Sequence, residues 1–122
     1  MTTPEELAWA AGFFDGEGSV RAKWNMKGPR RNRAIHAIVG QREREPLDRF
    51  QAAVGVGKVY GPSYTQTRDG KPMWRWETGN RDYVHLVCWL LWPYLCSTKR
   101  NQFDNTFARY HEMKAETRRD GG

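Results

Sequence analysis

From Leu7 to Phe14 the chain carries no polar side chain, and this apolar run follows a strong helix start, Thr3-Pro4-Glu5-Glu6. Thr3 is suited to cap the helix, Pro4 to fill its first position and Glu6 to complete a capping box. The helix is predicted to run through Phe14 or Asp15 and to stop at Gly16 or Gly18. The pattern then switches to alternation. Ser19, Arg21 and Lys23 share one face of a first strand, and Ile35, Ala37 and Val39 form the inward face of a second. Between the two strands lies a loop with Gly28-Pro29. Glu45-Pro46 opens a second helix carrying Leu47, Phe50 and Val54, closed by Gly55. Strands are predicted over 57–60 and 73–78, the latter with Trp74 and Trp76 inward. Asn80 caps a third helix that Pro93 ends. Ser97 is expected to cap a last helix whose Phe103, Phe107, Tyr110 and Met113 form one apolar face.

The order of elements is that of an α+β fold with one antiparallel sheet. A length of 122 residues suits a single domain, assigned to 1–117, with a frayed tail over 118–122. Neither a signal peptide nor an apolar run of membrane length is apparent, so a cytoplasmic or nucleoid location is expected rather than secretion. Cys88 and Cys96 give no disulfide framework. His85 lies one helical turn before Cys88 without further ligands nearby, which favours a buried thiol over a zinc site.

Charge changes the picture. The net charge is +6, and between Gly18 and Arg44 eight Lys and Arg residues are opposed only by Glu43. Such clustering points to a polyanionic partner. Arg21, Lys23 and Arg75 stand on outward strand positions, suited to phosphates and base edges.

The first helix carries the most specific signal. At about 100° per residue, Ala8, Ala11, Gly12 and Asp15 fall on one narrow stripe. Small residues there let another helix backbone approach closely. If that helix belongs to a second copy, the interface is two-fold and isologous. Asp15 and Glu17 follow at the helix C-terminus, where the dipole disfavours negative charge by several tenths of a kcal/mol each, roughly. Carboxylates and free carbonyls there are good ligands for a hard cation such as Mg²⁺. Paired acidic groups with divalent metal are an arrangement that hydrolyses phosphodiesters.

The stretch Ala10-Ala11-Gly12-Phe13-Phe14-Asp15-Gly16-Glu17-Gly18 resembles the signature of the LAGLIDADG homing endonuclease family, with Ala10 where the family has its first Leu. The resemblance extends over most of the chain. It implies an αββαββα fold with a four-stranded, saddle-shaped antiparallel sheet and a C-terminal helix. It further implies a homodimer through the first helix that cuts both strands of a long pseudo-palindromic DNA site across the minor groove. Glu17 corresponds to the metal-binding acid, with the Gly16 carbonyl as a further ligand and Mg²⁺ (or Mn²⁺) as cofactor. Gln41 corresponds to a residue that positions water. Lys99 corresponds to a lysine after the Pro93-Tyr94-Leu95 turn that polarises water or stabilises the transition state, with Arg100 as the alternative register.

In that frame the DNA-facing positions are Arg21, Lys23 and Asn25 on the first strand, His36 on the second, Lys58 and Tyr60 on the third, and Arg75 on the fourth. Arg30, Arg31 and Arg33 are expected to grip phosphate from the loop. No membrane or small-molecule substrate is expected. Two other functions fit the same fold, a DNA-binding regulator that has lost cleavage and an intron RNA maturase.

Overall fold

A computed structural model describes residues 2–26, 31–64 and 68–121. The first helix, α1 (Pro4–Glu17), starts as expected, with the Thr3 hydroxyl accepting from the Glu6 N–H at 3.2 Å. Only half of the capping box forms. The Glu6 carboxylate turns to Arg49, which donates from Nε at 3.0 Å and from Nη2 at 2.7 Å. A bidentate guanidinium is a stronger partner than one backbone N–H. The helix reaches Glu17, and Gly18 closes it through an N–H bond to the Phe14 carbonyl.

Two strands follow, β1 (Gly18–Asn25) and β2 (Asn32–Gln41). Next come α2 (Glu45–Val54), β3 (Lys58–Ser63), β4 (Met73–Thr78) and α3 (Arg81–Leu91). Gly55 ends α2 in the left-handed region at φ 74°, the reason a glycine stands there. Asn80 caps α3 by accepting from the N–H groups of Asp82 and Tyr83. A 3-10 turn over Trp92–Tyr94 leads into α4 (Ser97–Gly121). Ser97 is the first residue of that helix rather than its cap: the Arg100 N–H bonds to the Cys96 carbonyl, which puts Cys96 at the cap position.

The sheet is antiparallel in the order β1-β2-β4-β3. Its helix side is a core in which Phe14 of α1 stacks on Phe50 of α2 and on Phe103 of α4, with centroids 6.0 and 5.5 Å apart. Trp76 of β4 meets Phe50 edge-on at 4.8 Å. Ile35, Ala37 and Val39 are buried there as the alternation predicted. Phe14 therefore anchors the last turn of α1 to both α2 and α4, one turn before Glu17. That anchoring also fixes Gly18, where a Cβ would overlap the Phe14 ring.

One expectation for α1 changes. Ala8 and Gly12 of the small-residue stripe are exposed. Ala11 does not belong to the exposed stripe, being fully buried in the chain's own core. Gly16 stands exposed in its place, one turn beyond Gly12.

Candidate active site and nucleic-acid interface

Three elements meet where α1 feeds the sheet. Glu17 ends α1 and is exposed, and among the described residues its carboxylate has no hydrogen-bond or ion-pair partner. Gly18 pairs with Val39, so Gln41, two residues further along β2 and half-buried, lies at the same end of the sheet. Lys99 arrives from the first turn of α4. Its ammonium is buried and donates to the Gly18 carbonyl at 2.6 Å and to Gln102 Oε1 at 3.1 Å, 5.6 Å from the Phe14 ring centre. Of the two registers open in the sequence, Lys99 is the one that reaches the motif. Arg100 is occupied elsewhere, donating to the carbonyls of Trp92 and Pro93 and thereby holding the turn before α4.

Asp15 serves this junction too. Its carboxylate accepts from the Cys96 N–H at 3.1 and 3.3 Å, tying the end of α1 to the start of α4. Sequence reading assigned Asp15 to a dimer surface and missed this contact, because a separation of 81 positions leaves no local trace. Thr106, about two turns beyond Lys99 on α4, donates from Oγ1 to the Val20 carbonyl at 3.3 Å. Side chains of α4 thus satisfy alternate carbonyls along β1, which is an edge strand.

The other side of the sheet presents the polar residues. Register sets Ser19, Ile38, Glu77 and Lys58 in one row across it, Gly40, Arg75 and Tyr60 in the next, and Arg21 opposite His36. Arg21, Lys23 and Asn25 are exposed on β1, and Lys58 and Tyr60 on β3. Arg75 and His36 are half-buried, and both lie against Glu77, His36 by a hydrogen bond and Arg75 by an ion pair. His36 Nε2 lies 2.9 Å from Glu77 Oε2, and Arg75 Nε lies 3.2 Å from Oε1. The Arg75 guanidinium also sits 5.1 Å from the Tyr60 ring centre.

Arg33 departs from expectation. It belongs to β2 rather than to the loop, and its odd position gives it the parity of Ile35 and Ala37. It therefore faces the helices, stacks on Tyr110 at 3.8 Å and donates to the Tyr110 carbonyl at 2.9 Å. A guanidinium so engaged clamps α4 to the sheet and is turned away from the outer face. Arg31 is exposed, 4.2 Å from the Trp24 ring centre. Arg30 lies outside the described residues.

On the helical side, His85 stacks on Phe107 at 4.1 Å. Burial, reinforced by Asp104, pushes the Cys88 thiol up to about 11. Cys88 is buried, and among the described residues no three His, Cys, Asp or Glu side chains converge to hold a metal. No helix of the described residues is long and apolar enough to cross a membrane.

No protein-family model matches the chain, and no curated protein matches it significantly in sequence. Its structure, however, is similar to solved homing endonucleases. The homing endonuclease I-CvuI, in complex with the I-CreI DNA target, aligns with a TM-score of 0.72 and 21% identity over 93% of this chain and 70% of that one. The group I intron-encoded homing endonuclease I-CeuI, complexed with DNA, aligns with a TM-score of 0.76 and 15% identity over 98% and 60%. The homing endonuclease I-TnaI aligns with a TM-score of 0.69 and 18% identity over 95% and 77%. Meganucleases described as LAGLIDADG proteins bound to uncleaved DNA align as well, at TM-scores of 0.67 and 0.69. The fold is that of the LAGLIDADG homing endonucleases. The chain spans between 60% and 77% of the length of the first three.

Proposed function

We propose that the chain is a site-specific double-stranded DNA endonuclease that acts as a homodimer and requires Mg²⁺, with Mn²⁺ as a substitute. The observation that carries this reading is the position of Glu17. An unpaired, exposed carboxylate ends a helix at the head of a sheet whose outer face bears Arg21, Lys23, Lys58 and Arg75. A carboxylate with no cation of its own beside a basic surface is suited to bring a divalent ion against a polyanion.

The donor set fits Mg²⁺. Glu17 supplies a carboxylate and Gly16 a carbonyl from the last turn of α1, both hard oxygen ligands. One chain offers too few, since no cluster of three acidic or imidazole groups exists among its described residues. A second Glu17 and the scissile phosphate complete the set in a two-fold dimer. Held there, a divalent ion would supply Lewis-acid activation of a water and charge neutralisation at the phosphate.

The chain's own residues supply the rest. Gln41 orients water at the end of β2. Lys99 holds a positive charge behind Gly18, in a buried setting where it acts on developing negative charge more strongly than in water. Arg21, Lys23, Asn25, Lys58, Tyr60 and Arg75 contact the major groove and its phosphates, His36 lies among them, and Arg31 grips the backbone beyond.

The dimer reading draws on two glycines. Gly12 and Gly16 lie within α1, where glycine costs roughly 1 kcal/mol relative to alanine. Neither has a positive φ, and a Cβ at either would meet nothing within 4 Å. The isolated chain gives no reason for them. Close packing against a second α1, with Ala8 on the same exposed line, does.

The test is cleavage of a randomised duplex library. With Mg²⁺ the protein is expected to cut a restricted set of sequences on both strands, and with EDTA to bind them without cutting. Affinity should fall steeply with salt, with a log–log slope of roughly −0.9 per phosphate neutralised. Salt-sensitive duplex binding that never yields nicks with Mg²⁺ or Mn²⁺ decides for the regulator. RNA binding in place of duplex binding decides for the maturase.

A further inference from the structure

One acidic side chain stands in the middle of the basic outer face. Glu77 occupies the row between Ile38 and Lys58, with Arg75 two residues before it on β4 and His36 diagonal to it on β2. Its two carboxylate oxygens are shared out, Oε2 to His36 and Oε1 to Arg75. A carboxylate has about four acceptor positions, so one hydrogen bond from His36 and one ion pair with Arg75 leave much of its capacity open. Glu77 also lines a concavity of about 350 Å³ together with Lys58, Tyr60 and Tyr83.

A negative charge in that position repels phosphate and weakens non-specific DNA binding. It favours binding only where the DNA offers a donor. In the major groove the exocyclic amino groups of cytosine and adenine are the donors. Adenine presents its N7 acceptor beside the amino group, which repels a carboxylate, whereas cytosine does not. Arg75 supplies the complementary pattern. Its Nε is taken by Glu77, and its terminal nitrogens remain donors suited to the O6 and N7 of guanine.

Resting on the endonuclease reading, we propose that Glu77, held by His36 and Arg75, is a specificity-determining residue that with Arg75 reads a C·G base pair in the major groove of each half-site. Glu77 accepts from the cytosine amino group and Arg75 donates to the paired guanine. His36 is the positioning residue that holds the carboxylate in the row.

The experiment is selection of bound duplexes from a randomised library by wild type, Glu77→Gln and Glu77→Ala, without cleavage. Wild type is expected to demand cytosine at one position in each half-site. Both variants should lose that preference by about tenfold or more, leaving the other positions unchanged and non-specific affinity equal or tighter. A second measurement uses wild-type protein alone, so it holds whether or not the variants fold. Replacing that cytosine by 2-pyrimidinone, which lacks the 4-amino group, should weaken binding by a similar factor. Unchanged base preference in folded variants overturns the proposal, as does full affinity for the analogue. Wild-type binding with no sequence preference overturns both this proposal and the site-specific reading beneath it. Preferred sites that never contain the pair leave that reading intact and overturn only the proposal.

Discussion

Glu17, Lys99 and Gly18 occupy one small region, yet three different physical demands put them there. Glu17 is an exposed acid where a helix end disfavours one. Lys99 is a buried amine, tolerated because the Gly18 carbonyl and Gln102 accept from it. Gly18 has extended backbone that any residue adopts, and its constraint is steric, from the Phe14 ring. Gly18→Ala is therefore expected to destabilise the fold by about 1–3 kcal/mol, the usual range for overpacking, measured as a lowered melting temperature. Among these residues the sequence made Glu17 conspicuous, because its charge conflicts with its local setting. Lys99 could not be read from local pattern: a lysine early in a helix is ordinarily solvated, and only the family resemblance singled it out. Asp15 was conspicuous for the same reason as Glu17, but its partner, the Cys96 N–H, is a tertiary contact invisible along the chain.

At the scale of elements, period and punctuation fixed most boundaries. The inward triplet of β2, the Gly55 stop of α2 and the Asn80 cap of α3 all stand where alternation and capping chemistry put them. Arg33 shows where the reading failed. Charge was allowed to outweigh parity, although the alternation that buries Ile35 also turns Arg33 toward α4. Glu6 shows a second failure, a local capping motif losing its carboxylate to a distant guanidinium. That contact joins α1 to α2, with Arg49 also stacked 3.9 Å from the Trp9 ring centre. The hydrogen bond from Arg49 holds the Glu6 carboxyl below its ordinary 4.5. A depressed carboxyl stabilises the fold above the ordinary value and loses that contribution as pH falls through the depressed one. Glu6→Gln should accordingly lower the melting temperature slightly at pH 7, and the gap from wild type should close as pH falls below the depressed carboxyl value. A gap independent of pH contradicts the assignment.

The molecule as a whole has one face for charge and one for packing, and α1 belongs fully to neither. Its buried side builds the core through Phe14, while Ala8, Gly12 and Gly16 remain open. Gly12→Leu is predicted to leave the isolated fold intact or firmer, since space is available and helix propensity improves. The same change should block association, giving a monomer by light scattering with DNA present, where wild type is expected to give a dimer. The small-residue stripe was legible in the sequence, but which of its members turn outward was not. Ala11 and Ala8 differ only in their distance from neighbours that the chain brings together later.

Cleavage by Glu17→Gln measures the central claim most directly. The substrate is a duplex chosen by wild type from the randomised library, and rates are compared at saturating protein with Mg²⁺. The amide keeps the shape of the side chain and removes its charge, so affinity for the duplex is predicted to stay within about twofold while strand cleavage falls by about a thousandfold or more. Cutting by the variant at a rate near that of wild type contradicts the account.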